Sequence, residues 1–303
     1  MKKYDYSEFA AVDIGGTNTR IGFFNDKGEI IKKEKTNTDY NFAESTLKWV
    51  VDKINQYEIK YLALCIPGPS DYEQGKVLKS PNLGGTWENF DVKNYLLKNS
   101  NLIDILFEND ANAMAYSNHK AHNLKNNEIS QFFTISTGFG AGLIIDGKIF
   151  HGNKYYAQEI AQLPISEKPF LGDHRLKNPF ALELHCSGSG IETKSKFFKL
   201  SNSSGETFKL ASEGNALALK IIQEAKVSLA RMFSISAAMI APNYFFIGGS
   251  LALNQKTFVL EAFELAKKYS DLNHFNDTKL IFDKSGDDSA LFGLYHLIKD
   301  KNI

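Results

Sequence analysis

Residues 11–20 read AVDIGGTNTR: an apolar run that carries one aspartate, breaks on two glycines and resumes as an alternating strand, IGFF, at 21–24. Glycines that follow a strand let a ligand approach the backbone, and consecutive N–H groups there form a nest for an anion. Thr17 adds a hydroxyl donor. Asp13 cannot bind a phosphate itself, because two anions repel, but it fits if Mg²⁺ with its water lies between them. The stretch thus has the parts of a nucleotide-phosphate turn, without the spacing of a Walker loop or a GxGxxG fingerprint. It reads equally well as a Gly-Gly hairpin with Asp13 capping a strand end.

Working outward, QFFTISTGFGAG (131–142) followed by LIIDGKIFHG repeats the order of strand, glycine turn and strand, with Asp146-Gly147 as a hairpin signal. Two similar folding units therefore open about 120 residues apart. Between them, residues 41–57 place Ala43, Leu47, Val50, Val51 and Ile54 on one helical face, with Asn41 and Glu44 spaced as a capping box. IKYLALCI (59–66) reads as a buried strand stopped by Pro67-Gly68-Pro69, and LIDILFEND (102–110) as a strand running into the helix ANAMAYSNHKA. Strands alternating with helices predict α/β architecture. Further on, residues 215–240 carry Ile222, Ala225, Leu229, Met232, Phe233, Ser236 and Ile240 at helical spacing, ended by Pro242. YFFIGGS (244–250) is a strand closing on a third glycine turn, SNSSGE (201–206) reads as a loop, and DDSALFGLYHLIKDK as a terminal helix.

The bulk properties narrow the function. The chain has 303 residues, enough for two domains of roughly 100–200 residues each. Its 35 basic and 35 acidic residues balance, so no global field favours nucleic acid or an anionic membrane. Cys65 and Cys186 cannot build a disulfide framework and suit a reducing compartment. The N-terminus lacks the apolar core of a signal peptide, and the most apolar later stretch, ISAAMIAPNYFFIGG, is broken by Pro242 and Asn243 before it could span a membrane. A soluble, cytoplasmic protein is expected, working through a site.

Residues 107–113, FENDANA, supply the sharpest candidate. Glu108, Asn109 and Asp110 stand where a strand meets a helix, a position that aims side chains into a crevice. Asp110 reads either as a helix N-cap or as the base that accepts a hydroxyl proton in phosphoryl transfer, and these residues alone leave both open.

DIGGTNTR, IPGPSDYEQGKVLKSPNLGGTW, ENDANA, STGFGAG, HGNKYYAQEIAQL, LELHCSGSGI, IAPNYFFIGGS and GDDSALFGLYHL occur in the order found in ROK-family sugar kinases (repressor, open reading frame, kinase), which the chain resembles nearly end to end. The resemblance implies the α/β actin-like (ribonuclease H-like) ATPase fold, with two α/β domains around a nucleotide and sugar cleft. The N-terminal domain would be 1–116, joined by the C-terminal helix 290–303, and the larger C-terminal domain 117–289. It implies ATP-dependent phosphorylation of a hexose, most simply at the 6-hydroxyl. By position, Asp13, Gly15, Gly16, Thr17 and Asn18 match the first phosphate turn and Thr137-Gly138 the second, while Gly248 and Gly249 would lie by the adenosine. Asp110 matches the catalytic base, and Asn82, Asn109, Glu159 and Glu183 match sugar-binding residues.

The departures concern the sugar more than the chemistry. Where many members have Gly-His, this chain has Ala161-Gln162, and Gln162 could bond a sugar hydroxyl directly. Where many carry a cysteine-rich CxCGxxGC zinc segment before LE, this chain has KNPFALE (177–183). His185 and Cys186 alone cannot supply four tetrahedral ligands, so the expected cofactors are ATP and Mg²⁺ without structural zinc. Ser136 and Ser250 replace glycines usual in the later turns and would be strained where the backbone needs φ > 0. Glucose is the first expected substrate. An N-acetylated hexosamine (N-acetylmannosamine or N-acetylglucosamine), fructose or mannose are the alternatives, and a catalytically silent sugar sensor is the non-enzyme rival. A DNA-binding repressor is disfavoured, because the first turn begins by residue 13. A homodimer is expected by resemblance only. Trp87 and the 23 phenylalanines read as core, Cys65 as an inert buried thiol, and the seven histidines as scattered, without a metal-binding pair.

Overall fold

The computed structural model describes residues 6–302 apart from residue 81; the first five residues of the expected N-terminal domain, Pro81 of the PNLGGTW motif and Ile303 of the expected terminal helix lie outside the described residues. The chain forms two compact units. Residues up to Leu124, His151–Tyr155 and those from Asp287 onward make the first; Lys125–Phe150 and Tyr156–Gly286 make the second.

In the first unit, β1 (Phe9–Ile14), β2 (Asn18–Phe24) and β3 (Ile30–Asn37) form an antiparallel meander. Then come α1 (Ala43–Gln56), β4 (Tyr61–Cys65), a small hairpin of β5 (Ser70–Asp71) and β6 (Lys76–Val77), α2 (Val92–Asn99), β7 (Asp104–Glu108) and α3 (Asp110–Ala121). The sheet order is β3-β2-β1-β4-β7, with β1, β4 and β7 parallel. Alternation along the strands divides the core. Ala10, Val12, Ile14, Leu62 and Leu64 pack with Leu47, Val50 and Ile54 of α1, while Ala11, Ala63 and Cys65 belong to the opposite face. Residue 116 lies within α3, which runs on to Ala121.

The apolar face expected on α1 is buried as read, but its start differs. No capping box forms at Asn41 and Glu44, since the helix begins at Ala43 and Phe42 makes no side-chain cap. Asp39 instead accepts the N–H groups of Asn41 and Phe42 at 3.0 Å each, and Thr86 accepts that of Ala43 at 2.9 Å. Trp87 is fully buried, and its indole N–H donates to the Asp39 carbonyl at 2.8 Å.

The second unit contains β8 (Ser130–Ile135), β9 (Phe139–Ile145), β10 (Lys148–Ile149), α4 (Leu182–Cys186), α5 (Gly188–Phe197), α6 (Ser204–Ser212), α7 (Ala216–Ile240), β11 (Tyr244–Gly248), α8 (Ser250–Asn254), α9 (Lys256–Tyr269) and β12 (Lys279–Phe282). Its sheet order, β10-β9-β8-β11-β12, and its strand directions repeat those of the first unit strand for strand. Asp146 and Gly147 turn the β9–β10 hairpin with φ of 53° and 68°, the doubly positive pair that a two-residue hairpin favours. Asn215 caps α7 by accepting from Leu217 and Ala218, and Ala241 ends it in a left-handed conformation just before Pro242. The expected loop at 201–206 is in part a helix start: Ser203 accepts the Glu206 N–H at 3.1 Å and opens α6.

The last helix, α10 (Ser289–Asn302), returns to the first unit. Leu291, Leu294, Tyr295 and Ile298 pack with the small residues Ala11, Ala63 and Ala113. A Cβ on Gly293 would stand 1.8 Å from the Ala113 carbonyl oxygen, so glycine permits the close approach of α10 to α3. Among the described residues, no helix is long and apolar enough to cross a membrane.

Candidate active site

Parallel strands deliver their carboxyl ends to one edge of the first sheet. The register aligns Arg20, Asp13, Cys65 and Glu108 as one row across β2, β1, β4 and β7. Arg20 Nη2 donates to Asp13 Oδ2 at 2.5 Å. Arg20 lay inside the opening motif without an assigned role, and only the strand register reveals its pairing. The Gly15 N–H closes the turn on the Asn18 carbonyl at 2.9 Å, leaving the N–H groups of Gly16 and Thr17 outside that bond. At Gly16 a Cβ would meet the Asn82 carbonyl oxygen at 2.9 Å, so this glycine lets the segment bearing Asn82 lie against the first turn.

Just past Glu108, α3 begins. Its N-cap is Asn109, whose Oδ1 accepts the N–H groups of Ala111 at 2.9 Å and Asn112 at 3.2 Å. Asp110 is therefore the first helical residue and not the cap. Its Oδ1 accepts the Ala111 N–H at 2.8 Å, which leaves Oδ2 outside that bond. Displacement of water by surrounding protein, and then the negative charge of Asp13, raise the Asp110 carboxyl above its ordinary range, against the pull of the Ala111 N–H. The side chain still reaches solvent, so that loss of water is partial. Cys65, buried beside Asp13, Asp110 and Glu108, has its thiol pushed up by burial first and by those carboxylates next, which keeps it a thiol.

In the second unit, the Ser136 N–H donates to the Gly138 carbonyl at 3.0 Å across the β8–β9 turn. Glu183, on α4, is buried behind this turn and accepts the Phe139 N–H at 3.0 Å on Oε2, while Arg175 donates to Oε1. The Ser136 and Thr137 carbonyls accept the first N–H groups of α5, from Gly188 at 2.8 Å and Ser189 at 2.9 Å. A cavity of about 260 Å³ opens here, and α5, α6 and α8 contribute their first residues Gly188, Ser204 and Ser250 to its wall beside Thr137, Phe208 and Asn254. The positive ends of these helix dipoles favour an anion. Gly248 and Gly249 link β11 to α8; Gly249 takes φ 87°, and a Cβ there would lie 2.4 Å from the Ile135 carbonyl oxygen. Ser136 and Ser250 are not left-handed, so the strain anticipated at these serines does not arise. Sequence reasoning reached Thr137 and Gly138 but missed Gly188, Ser204 and Asn254. The available signal was the Ser-Gly pairs that open α5 and α6.

A family profile described as the ROK family matches residues 9–301. The chain belongs to the ROK family. A relative from Aliivibrio fischeri named N-acetyl-D-glucosamine kinase is 28% identical over 305 residues, covering 95% of this chain and 98% of that protein. The fold matches a ROK hexokinase from Thermus thermophilus with a TM-score of 0.81 at 23% identity, over 97% of this chain and 98% of that one. It matches equally, at 0.81 and 19% identity, a ROK family transcriptional regulator homologous to the E. coli MLC protein, over 96% of this chain and 77% of that one. The architecture is thus the actin-like ATPase fold of ROK sugar kinases.

Against this ROK background, Glu159 precedes and Gln162 ends the short turn Ile160–Gln162, both side chains exposed, and the Gln162 carbonyl accepts from Asn178 Nδ2 at 2.7 Å. His185 is buried, with Nδ1 2.7 Å from Lys194 Nζ and Nε2 2.9 Å from the Pro179 carbonyl. The lysine can only donate and the carbonyl only accept, so His185 is neutral with its proton on Nε2. Burial first, and then the Lys194 ammonium, lower its pKa to about 4. Cys186 Sγ donates to the Leu182 carbonyl at 3.2 Å. Among the described residues, no group of three or more His, Cys, Asp or Glu side chains is placed to hold a metal ion.

Proposed function

We propose that this ROK protein is an ATP-dependent sugar kinase in which Asp110 accepts the proton of a hexose hydroxyl, that at C6, as the oxygen attacks the γ-phosphate. The state of Asp110 carries the reading. It stands at the carboxyl edge of the parallel strands, Asn109 performs the capping in its place, and its carboxyl is raised toward the range useful to a base. Phosphoryl transfer has a loose transition state, so a correctly placed carboxylate is sufficient.

The nucleotide is assigned to the second unit's cavity, with Thr137 and Gly138 at its phosphates and Gly248 and Gly249 near the adenosine. Asp13, Gly15, Gly16, Thr17 and Asn18 form the first turn. Mg²⁺ would arrive on the nucleotide and neutralise phosphate charge; Asp13, with one oxygen already on Arg20, keeps the other for the ion's water. Asn82, Asn109, Glu159 and Gln162 are assigned to sugar hydroxyls. Glu183 joins them only by sharing an oxygen that already serves Phe139 or Arg175.

The full-length likeness to an N-acetyl-D-glucosamine kinase makes that sugar the first to test, ahead of glucose. The test is ADP release in excess Mg²⁺ against N-acetylglucosamine, N-acetylmannosamine, glucose, mannose, fructose and no sugar. Turnover on one sugar well above the sugar-free rate is expected. Silence across the panel from protein that binds ATP would favour a sensor, a reading that the equal fold match to a regulator keeps in view.

A further inference from the structure

Residues 151–155 belong to the first unit, although the chain on either side of them belongs to the second. The functional group they bring is His151. Its Nε2 lies 2.7 Å from Oε2 of Glu108, a carboxylate only 3% exposed that the chemistry above does not use. The other oxygen, Oε1, accepts the Asn109 N–H at 2.8 Å and Asn112 Nδ2 at 3.0 Å. A buried carboxylate needs such donors. With Oε1 serving as an acceptor twice, the assignment that satisfies Oε2 has the imidazole donating its Nε2–H. The two Oε1 donors, from Asn109 and Asn112, bracket Asp110 in the first turn of α3.

A second set of contacts holds the same segment. The Tyr155 ring lies 4.3 Å from that of His151 and 5.4 Å from that of Tyr72, and the Tyr72 hydroxyl interacts with the Asn109 side chain. Lys154 and Tyr155 adopt φ of 52° and 62°, a left-handed backbone that such residues rarely take unless their surroundings fix it.

We propose that His151 is a positioning residue: through Glu108 it fixes the first turn of α3 and thereby the placement of Asn109 and Asp110. The proposal rests on the reading of Asp110 as the base. Without His151, one oxygen of a buried carboxylate loses its donor, and Glu108 must turn toward another group at the expense of Asn109 and Asn112.

The full-length enzyme with His151→Ala should lose roughly 10- to 100-fold in kcat/KM for the sugar, with a raised sugar KM and an unchanged ATP KM. His151→Gln, whose amide still donates, should recover most of the loss. Loss of foldedness alone would lower kcat without moving the sugar KM. An unchanged sugar kcat/KM in His151→Ala, a Gln variant as impaired as Ala, or parallel movement of both KM values would overturn the proposal. A readout independent of turnover separates it from the kinase reading. The nitrogen–proton spectrum of histidine-labelled protein should contain a slowly exchanging Nε2–H signal that vanishes in His151→Gln. Its absence in the wild type overturns the proposal, whatever the enzyme phosphorylates.

Discussion

At the scale of single residues, Asp110 gains its character from its neighbours. A carboxyl raised by partial loss of water and by Asp13 holds its proton to higher pH than a free aspartate, whose pKa is about 3.9. Only the deprotonated form accepts a proton. The sugar kcat/KM should therefore fall on acidification through a limb lying above the ordinary aspartate range, and a limb at or below that range would remove the neighbours' effect. FENDANA was visible in the sequence because strand, cap and helix adjoin there. Which of Asn109 and Asp110 caps was not visible, since it depends on the residue at which β7 ends. The pairing of Glu108 with His151 spans 43 positions and leaves no local trace.

Elements were legible where one face repeats. The apolar stripe of α1 and the long stripe of α7 follow helical spacing, and tertiary burial uses those faces. Their ends were less legible. The first turn of α1 takes its acceptors from Asp39 upstream and from Thr86 in a distant loop, and α6 hides behind a serine-rich start that also reads as a turn. The packing of α10 on α3 makes the element-scale prediction. Gly293→Ala forces a methyl against the Ala113 carbonyl and should destabilise the protein by about 1–3 kcal/mol or more in chemical denaturation. Unchanged stability would mean that the helices separate without penalty.

Over the whole molecule, the repeated strand order was legible because each glycine turn ends a strand of matching pattern. The return of residues 151–155 to the first unit was not, because nothing in their composition distinguishes them from a surface loop. Global stability should carry the mark of His185. Its native pKa is about 4, against about 6.5 when unfolded, so between these values the unfolded chain binds the extra proton. Stability from this group should then rise with pH from about 4 to about 6.5 and be lost on acidification through that window; in His185→Gln that part of the pH dependence should flatten. The central claim is that Asp110 is the base. The most direct measurement compares Asp110→Asn with wild type on the best sugar of the panel, reading turnover alongside sugar and ATP binding by calorimetry. The account predicts both ligands bound with near-normal affinity and turnover reduced by roughly 10²- to 10⁴-fold. Turnover within a few-fold of wild type would contradict it and leave Asp110 a first-turn helix residue without a part in the chemistry.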